Sequence, residues 1–587
     1  MSPSEPAPAA EFPNRLRSPE PLREKSPLRW RWMLLLFGLC LIPRAWMAMR
    51  MEIPCPDSLF FIRLAQAQEK GEALESAGAY SHNIYPLILA GLHRLGIDHQ
   101  TAGEWWGVLA GSLAVLPLFG WLRRMHGERV AILACILYSF HPRLIEWSTE
   151  IIRESTFWLL LTTAVYLLWR ALEEVRIVWF ALAGLAVALA LHTRFEGWFL
   201  LAPLAGWSLV RFCSLHRGRL KLSLGLAAHA AVYPAVFGGV AMLSGQGDGS
   251  FDEQHRFRMV QEFVAAADGD PGGDEARGPT LELRPVAYHG GWAGVPAAAL
   301  TSFDDAEANQ RASTAETPPL TRWRAAYILQ KTIARALSPG FAVLMLLGAV
   351  VRWRVLLRGD VLPLAGFALA VTAGAWVHLW KAGESSDRYF LSIVILALPL
   401  AVFGATRIGQ WFAAISLRRR PRADMAPSVL LAERRAVAVM VVLLACGAAG
   451  WADALTFKDQ GRIERADLGR WVRENLGSGR QIVGSHQWAS MSYFAQGDYR
   501  LIPETPAGRK NIGLVAFLQR RQPDVVVLSR MWTPPQQVSR VLQARRQLGL
   551  QLVPAEYLPD SCRQMVIVLV RPPAVSTARR PVWEVGF

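Results

Sequence analysis

The sequence predicts an α-helical protein that crosses a membrane about eleven times and ends in an α/β domain outside the membrane. Three observations support this fold class. Hydrophobic residues make up 52% of the 587 residues, whereas charged residues make up only 19%. The chain carries 23 Trp, which is typical of aromatic rings placed at membrane–water boundaries. Lys and Arg fall in short clusters between apolar runs, as they do in the cytoplasmic loops of polytopic proteins.

The net charge of +16 raises the question of a nucleic-acid partner. The basic residues do not gather into one continuous patch, because they are spread over clusters such as "RFCSLHRGRLK" and "RRRPR". A nucleic-acid-binding protein would concentrate them on one face or along one helix. The distribution therefore indicates membrane orientation, and we expect no nucleic-acid partner.

The predicted spans follow from bilayer thickness, since a hydrocarbon core of ~30 Å needs ~20 apolar residues per helix. On that rule the spans are 32–49, 103–122, 128–141, 153–170, 177–193, 197–211, 222–243, 337–353, 361–380, 389–405 and 435–451. With the basic N-terminal tail placed in the cytoplasm, every strong Lys/Arg cluster also falls on the cytoplasmic side. The basic clusters were not used to draw the spans, so they support this orientation independently.

The spans divide the chain into three parts. Residues 1–28 are rich in Pro, Arg and Glu, which predicts a disordered cytoplasmic tail. Residues 29–452 form the predicted transmembrane domain, whose first apolar run lacks a small-residue cleavage site and therefore favours an anchor over a cleaved signal peptide. The segments predicted to lie outside the membrane within this domain are 50–102, 142–152, 244–336 and 381–388.

Residues 453–587 are predicted to form the extracytoplasmic α/β domain. The segments "QIVG", "DVVVLS" and "MVIVLV" are short and apolar, which is typical of buried strands. The segments "ADLGRWVREN" and "IGLVAFLQRR" have helical periodicity and lie between them. No catalytic motif is visible in this part of the chain.

The six cysteines form no CxxC motif and predict neither a metal cluster nor a disulfide framework. Cys55 and Cys562 are the two that the predicted topology places outside the membrane. Their pairing is left open by the sequence.

Ionisable residues near a membrane are functional candidates, because removing them from water is costly. In this sequence they gather in the short loops of the outer side, whereas the inner loops offer mostly Lys and Arg. The outer candidates are Asp57, His141, Arg143, Glu146, Glu150, Glu154, Arg194, Glu196, Glu384, Asp387, Arg388 and Tyr389.

Four motifs occur in order along the chain. The first is "PDSLFFIRLAQAQEKG" followed by "NIYPLILAGLHRLGI", the second "HPRLIEWSTEIIRESTFWLLLTTAVYL", the third "GLAVALALHTRFEGWFLLAPL" and the fourth "DRYFLSIVILALPLAVFG". Together they resemble the integral-membrane glycosyltransferases of the GT-C class. More closely, the chain resembles the bacterial relatives of protein O-mannosyltransferases and of lipid A aminoarabinose transferase, which are glycosyltransferase family 39-like.

This resemblance implies a sugar transfer at the outer face of the cytoplasmic membrane. The implied donor is a polyprenyl-phosphate sugar embedded among the membrane lipids, and the acceptor is a hydroxyl or phosphate of a lipid, glycan or protein. Asp57 matches the acidic position of the family and is the expected general base. Arg388 and Arg194 are expected to hold the donor phosphate, since a guanidinium can bond two phosphate oxygens at once.

Further residues match the motifs as substrate-positioning groups: Glu154, Tyr85, Glu196 and Tyr389. Glu154 would position the acceptor or orient an arginine, and Tyr85 would stack on or hydrogen-bond a sugar. The first loop departs from the protein O-mannosyltransferases, which carry an Asp-Glu pair where this chain has Asp57-Ser58. This lone Asp resembles the aminoarabinose-transferase side of the family.

Metal use remains open. Asp57, Glu150 and Glu154 could supply oxygen ligands to a divalent cation, but their spacing does not demand one.

Simpler roles are also open for individual residues. Asp57 could cap the helix that follows it. Arg194 and Glu196 could pair only with each other, and Arg388 could extend its side chain from the end of a span to the interface.

The alternative functions are a lipid or anion transporter (flippase) and a non-catalytic membrane scaffold. A transporter would place more ionisable groups near the middle of its spans, often in repeated halves, and this sequence shows neither.

Overall fold

The structure is a computed structural model of the 587-residue chain. It describes residues 29–50, 55–70, 83–215, 218–243, 322–357, 361–382, 386–419, 439, 460–484, 488, 490–501, 514–530, 533 and 535–572. The predicted tail 1–28, most of the loop 244–336 and almost all of the span 435–451 lie outside the described residues.

Every element described in the first half of the chain is helical. Its helices are α1 (Arg29–Ala48), α2 (Pro56–Glu69), α3 (Ile84–Arg94), α4 (His99–Leu113), α5 (Val115–His126), α6 (Glu128–Phe140), α7 (Pro142–Thr149), α8 (Glu154–Glu174), α9 (Ile177–Thr193), α10 (Leu201–Ser214) and α11 (Arg219–Leu243). A 3-10 turn, Phe195–Leu200, precedes α10.

The second half contains further helices and all the described strands. The helices are α12 (Arg322–Leu337), α13 (Pro339–Val351), α14 (Trp353–Leu356), α15 (Leu362–Ala382), α16 (Leu391–Arg419), α17 (Gln460–Leu476), α18 (Met491–Ala495), α19 (Leu514–Arg521) and α20 (Pro535–Ala544). Two more 3-10 turns are Asp387–Phe390, before α16, and Ala555–Tyr557. The strands are β1 (Gln481–Gly484), β2 (Asp498–Leu501), β3 (Val525–Ser529), β4 (Gln551–Leu552) and β5 (Val566–Val570).

Six helical stretches in the described part of the chain are long and apolar enough to cross a membrane. The number rises to eight if each of two bent helix pairs is one span, with α6 and α7 meeting at 55° and α12 and α13 at 97°. The protein is therefore a multi-pass membrane protein, as its sequence predicts.

The predicted count of about eleven is tested only in part. In the structure, the predicted span 128–141 is the first half of one bent pair, and the predicted span 337–353 is the second half of the other. Pro142 and Pro339 each begin the second helix of a pair. The predicted span 177–193 is a helix of 17 residues, and 197–211 begins as a 3-10 turn.

Small residues let two apolar helices of the second half approach closely. A Cβ on Gly348 of α13 would lie 1.8 Å from the carbonyl oxygen of Leu400, and one on Gly404 of α16 would lie 2.1 Å from that of Leu344. The two helices therefore pack backbone against backbone, which is how small residues stabilise helix pairs in membranes. This contact fixes α16 against α13; α16 begins just after the 3-10 turn that carries Arg388.

The C-terminal part is a mixed five-stranded sheet in the order β2-β1-β3-β5-β4. Strand β1 is parallel to β2 and β3, while β5 is antiparallel to β3 and β4. Alternate residues of the central strands face two separate apolar clusters, one formed with α17 and α18 and the other with α19 and α20. Strands β1, β3 and β5 coincide with the three apolar segments identified in the sequence.

The structure shows no disulfide between Cys55 and Cys562. Both cysteines are free and buried. Cys55 packs in an apolar cluster with Phe61 and Tyr85, whereas Cys562 packs beneath the C-terminal sheet. Each thiol is enclosed by its own core, so the two sulfurs cannot meet.

Candidate active site

The charged residues of the predicted site lie where helices begin or end. Asp57 is in the first turn of α2, and Glu154 is the first residue of α8. Arg194 follows the last residue of α9, and Arg388 lies in the 3-10 turn that leads into α16. Carboxylates in the first turn of a helix are stabilised by the unpaired backbone N–H groups there.

Asp57 and Arg388 form a direct ion pair. A guanidinium nitrogen of Arg388 donates to Oδ2 of Asp57 at 2.5 Å, although the two residues are 331 positions apart. The Asp57 side chain is 47% exposed and that of Arg388 is 20% exposed. Cys55 is the N-cap of α2 and no side chain caps the helix. The carboxylate of Asp57 is therefore used for the ion pair and not for capping.

Glu154 is shared by two arginines. Its Oε1 accepts a hydrogen bond from Nη1 of Arg194 and lies 3.4 Å from Nε of Arg388. The Glu154 side chain is only 2% exposed and that of Arg194 only 4%. A buried carboxylate is tolerated when cations and hydrogen bonds replace its water. Here both guanidiniums supply positive charge, and Arg194 supplies the hydrogen bond to Oε1.

Arg194 also forms a bidentate ion pair with Glu196. Nε of Arg194 donates to one carboxylate oxygen of Glu196 at 3.0 Å, and Nη2 donates to the other at 2.5 Å. Burial alone would raise the pKa of Glu196, but Arg194 more than offsets this and leaves that pKa below its usual value. Glu196 is therefore ionised, and Arg194 pairs with Glu154 as well as with Glu196.

Aromatic rings pack against both guanidiniums. The Tyr389 ring lies 5.4 Å from the Arg194 guanidinium carbon and 5.6 Å from that of Arg388. The Trp147 ring lies 5.7 Å from the Arg388 guanidinium carbon. Such cation–π contacts hold an arginine in place without consuming its hydrogen-bond donors.

The cluster has one exposed carboxylate. Asp57, Glu154 and Glu196 carry negative charge and Arg194 and Arg388 carry positive charge, so both guanidiniums are already neutralised. Asp57 is the most exposed of the three carboxylates. An incoming anion that needs Arg388 would therefore displace Asp57 most readily.

A second ion pair fixes the turn that carries Arg388. Nε of Arg143 lies 3.5 Å from Oδ2 of the neighbouring Asp387, and Nη1 of Arg143 donates to Glu146 at 2.6 Å. Arg143 and Glu146 both belong to α7. This helix is therefore tied to the residue adjacent to Arg388.

Glu150 connects the start of α2 to the C-terminal part of the chain. One carboxylate oxygen of Glu150 accepts the backbone N–H of Cys55 at 3.3 Å, and the other accepts from Arg462 of α17 at 2.7 Å. The sequence analysis missed Arg462, because it is separated from Glu150 by 312 positions and belongs to no motif.

Tyr85 lies away from the exposed edge of the cluster. It is fully buried, its ring packs edge-on against Phe61 at 5.3 Å, and its hydroxyl has no hydrogen-bond partner among the described residues. Burial raises the pKa of this hydroxyl well above its usual value. Asn83 caps α3 just before Tyr85 and donates to the Thr193 carbonyl at 3.0 Å. A sugar-binding role for Tyr85 stays a prediction.

The three carboxylates considered for a divalent cation are each paired with arginine. Asp57 pairs with Arg388, Glu150 with Arg462, and Glu154 with both Arg194 and Arg388. Cations would have to compete with these guanidiniums, so metal binding by this set also stays a prediction.

Comparisons with known proteins bear on the fold. Residues 84–237 match a family model described as dolichyl-phosphate-mannose-protein mannosyltransferase. ArnT from Cupriavidus metallidurans bound to undecaprenyl phosphate superposes with a TM-score of 0.54 at 12% identity, covering 93% of this chain and 99% of that chain. This chain has the fold of ArnT. ArnT in the apo state gives a TM-score of 0.50 at 12% identity, covering 94% and 100%.

The predicted resemblance to GT-C glycosyltransferases is confirmed by these matches. The oligosaccharyltransferase of Archaeoglobus fulgidus in the apo form gives a TM-score of 0.48 at 13% identity, covering 86% of this chain and 70% of that chain. None of the curated proteins matches the chain by sequence.

Replacing Glu154 with Ala is expected to lower the free energy of unfolding by about 1–3 kcal/mol, because the buried Arg194 loses one hydrogen-bond acceptor and keeps Glu196. Thermal unfolding of the purified protein in detergent measures the change. The matched control is Glu173→Ala at the other end of the same helix, where the more exposed pair with Arg124 is worth about 1 kcal/mol or less. Equal shifts in the two variants would contradict the buried cluster.

Replacing Arg462 with Ala is expected to loosen the start of α2, because Glu150 would lose the partner that holds it against the Cys55 amide. Hydrogen–deuterium exchange of peptides covering α2 should become faster. Arg470→Ala, which removes a half-exposed arginine of the same helix, is the control and should leave this exchange unchanged. Unchanged exchange in Arg462→Ala would show that the contact does not position α2.

Proposed function

We propose that this protein is a glycosyltransferase that moves a sugar from a polyprenyl-phosphate donor to an acceptor hydroxyl or phosphate. The observation that carries the proposal is the contact between the half-exposed carboxylate of Asp57 and the guanidinium of Arg388. A base and a phosphate-binding cation are the two groups that such a transfer requires most. Both are held at helix ends on the same side of the bundle.

The reaction exchanges one bond at the anomeric carbon. For a hydroxyl acceptor, the oxygen attacks that carbon while the bond to the phosphate oxygen breaks. The acceptor proton passes to Asp57, and the polyprenyl phosphate leaves with the bonding electron pair. The leaving phosphate already carries negative charge, so it needs cations more than it needs a general acid. Arg388 supplies the first cation and Arg194, behind it, supplies the second.

The ion pair between Asp57 and Arg388 suggests how donor binding prepares the base. The donor phosphate takes the exposed face of Arg388 and displaces Asp57, whereas Glu154 stays in place because it is buried against Arg194. The displaced carboxylate is then free to accept a proton. Donor binding therefore activates the base, because the donor phosphate replaces Asp57 as the partner of Arg388.

The donor class is supported by the shared fold with ArnT, whose structure contains undecaprenyl phosphate. We assign the reaction to the extracytoplasmic side of the inner membrane, from the positions of the Lys/Arg clusters along the sequence. The 453–587 domain belongs on the same side, since Arg462 of α17 contacts Glu150 beside Cys55.

The test is release of polyprenyl phosphate by the purified full-length protein. A panel of polyprenyl-phosphate sugars is incubated with the protein and a bacterial membrane extract, and the released lipid phosphate is quantified. We expect release with one sugar class, dependent on the extract as a source of acceptor. Asp57→Asn should lower the rate of release by about 10²–10⁴-fold. Asp560→Asn, which alters an exposed aspartate of the C-terminal part, should leave the rate unchanged.

A transporter or a scaffold would release no lipid phosphate with any donor. A transporter would instead move labelled lipid between the leaflets of a reconstituted vesicle. Movement of lipid that is unaffected by Asp57→Asn, together with no release, would reject the proposed transfer reaction.

A further inference from the structure

Three potential metal ligands meet where α2, α3 and α4 come together. Glu69 is the last residue of α2, His93 lies in the last turn of α3, and His99 begins α4. One ligand atom from each residue lies within 4.8 Å of the other two. The two imidazole rings are stacked with their centroids 3.9 Å apart.

The hydrogen bonds of these side chains prepare them for a metal. Nδ1 of His93 lies 2.9 Å from the carbonyl oxygen of Ile97. A carbonyl oxygen only accepts, so Nδ1 carries the proton and Nε2 of the neutral ring keeps its lone pair. A backbone carbonyl that fixes the tautomer in this way is typical of metal-binding histidines. Nε2 of His99 lies 3.0 Å from Oε1 of Glu69, and a metal would replace the proton between them.

We propose that Glu69, His93 and His99 form a zinc site. Two imidazoles and one carboxylate are ligands that Zn²⁺ accepts at bond lengths of about 2.0–2.2 Å, with a fourth position left for water. Tetrahedral ligands at those lengths lie roughly 3.3–3.5 Å apart, so small side-chain rotations close the present arrangement. Calcium and magnesium are disfavoured, because they prefer oxygen ligands throughout.

The position of the site separates it from the groups of the proposed transfer reaction. Glu69 and Asp57 lie at opposite ends of α2, and twelve residues of helix separate them by about 18 Å. The zinc would not touch the reacting groups. It would instead tie the far ends of α2 and α3 to the first turn of α4, and so fix the helix that carries Asp57. This site is independent of the proposed transfer reaction.

The test measures zinc bound to the purified full-length protein. The protein is stripped with a chelator, equilibrated with Zn²⁺ alone, desalted and analysed for metal content. We expect one zinc per chain in the wild type and a higher melting temperature with zinc than without it. His93→Gln and His99→Gln should each lower the zinc affinity at least tenfold and lose the zinc-dependent shift in melting temperature.

Two controls separate this site from the rest of the protein. His126→Gln removes a histidine at the far end of α5, and Asp57→Asn removes the exposed carboxylate of the catalytic cluster; both should still bind one zinc. His93 is exposed, so His93→Gln is expected to fold even if His99→Gln does not. Zinc content in the wild type no higher than in His93→Gln, or no effect of zinc on the melting temperature, would overturn the proposal.

Discussion

Replacing Asp57 with Asn is expected to lower the rate of sugar transfer by about 10²–10⁴-fold, the usual contribution of a positioned general base. Asparagine has the shape of aspartate and its amide oxygen can still accept from Arg388, so the surrounding residues should stay in place. The acceptor proton, however, would have no carboxylate to receive it. Initial rates of polyprenyl-phosphate release at saturating donor and acceptor measure the effect.

The loss should lie in turnover, with the melting temperature close to that of the wild type. Asp560→Asn changes the same type of side chain in an exposed pair with Arg563 and should leave the rate unchanged. Wild-type turnover in Asp57→Asn would remove Asp57 from the mechanism.

Replacing Arg388 with Ala is expected to lower kcat/KM for the donor by about 10²–10³-fold, because the leaving phosphate would lose its most exposed cation. Folding should be retained, since Glu154 keeps its contact with Arg194. Arg388→Lys should recover only part of the loss, because an ammonium supplies charge without the two-pronged geometry of a guanidinium. Steady-state kinetics with varied donor concentration separates the change in KM from the change in kcat.

Arg540→Ala is the matched control, as it removes an exposed arginine of the C-terminal part. If Arg388→Ala kept wild-type kinetics while Arg194→Ala lost activity, the phosphate would belong to Arg194, and the displacement of Asp57 would play no part in donor binding.

Part of this architecture follows from local sequence. Apolar runs of membrane-spanning length predict helices wherever they occur. The apolar segments of β1, β3 and β5 predict strands, because a strand that is buried on both faces needs apolar residues at successive positions. The bends between successive helices are harder to predict. Ser338 and Pro339 separate the basic helix α12 from the apolar helix α13, and the two helices meet at 97°.

The charged cluster could also be predicted only in part from the sequence. Motif order indicated that Asp57, Glu154, Arg194 and Arg388 lie on one side of the membrane. Their partners were not predictable, since the sharing of Glu154 between two arginines is decided by the packing of α8, α9 and α16. Arg462 gave no signal at all, because its contact with Glu150 joins two parts of the chain that are unrelated in sequence.

The central claim is that a lipid phosphate replaces Asp57 as the partner of Arg388, and the affinity for undecaprenyl phosphate tests it most directly. Binding is measured by titration of the wild type, Asp57→Asn and Arg388→Ala in the same detergent. Removing the competing carboxylate should tighten binding by about 2–5-fold, the worth of a partly exposed ion pair, even though transfer is lost. Arg388→Ala should bind more weakly than the wild type. Weaker binding by Asp57→Asn, or equal affinity in all three proteins, would contradict the account.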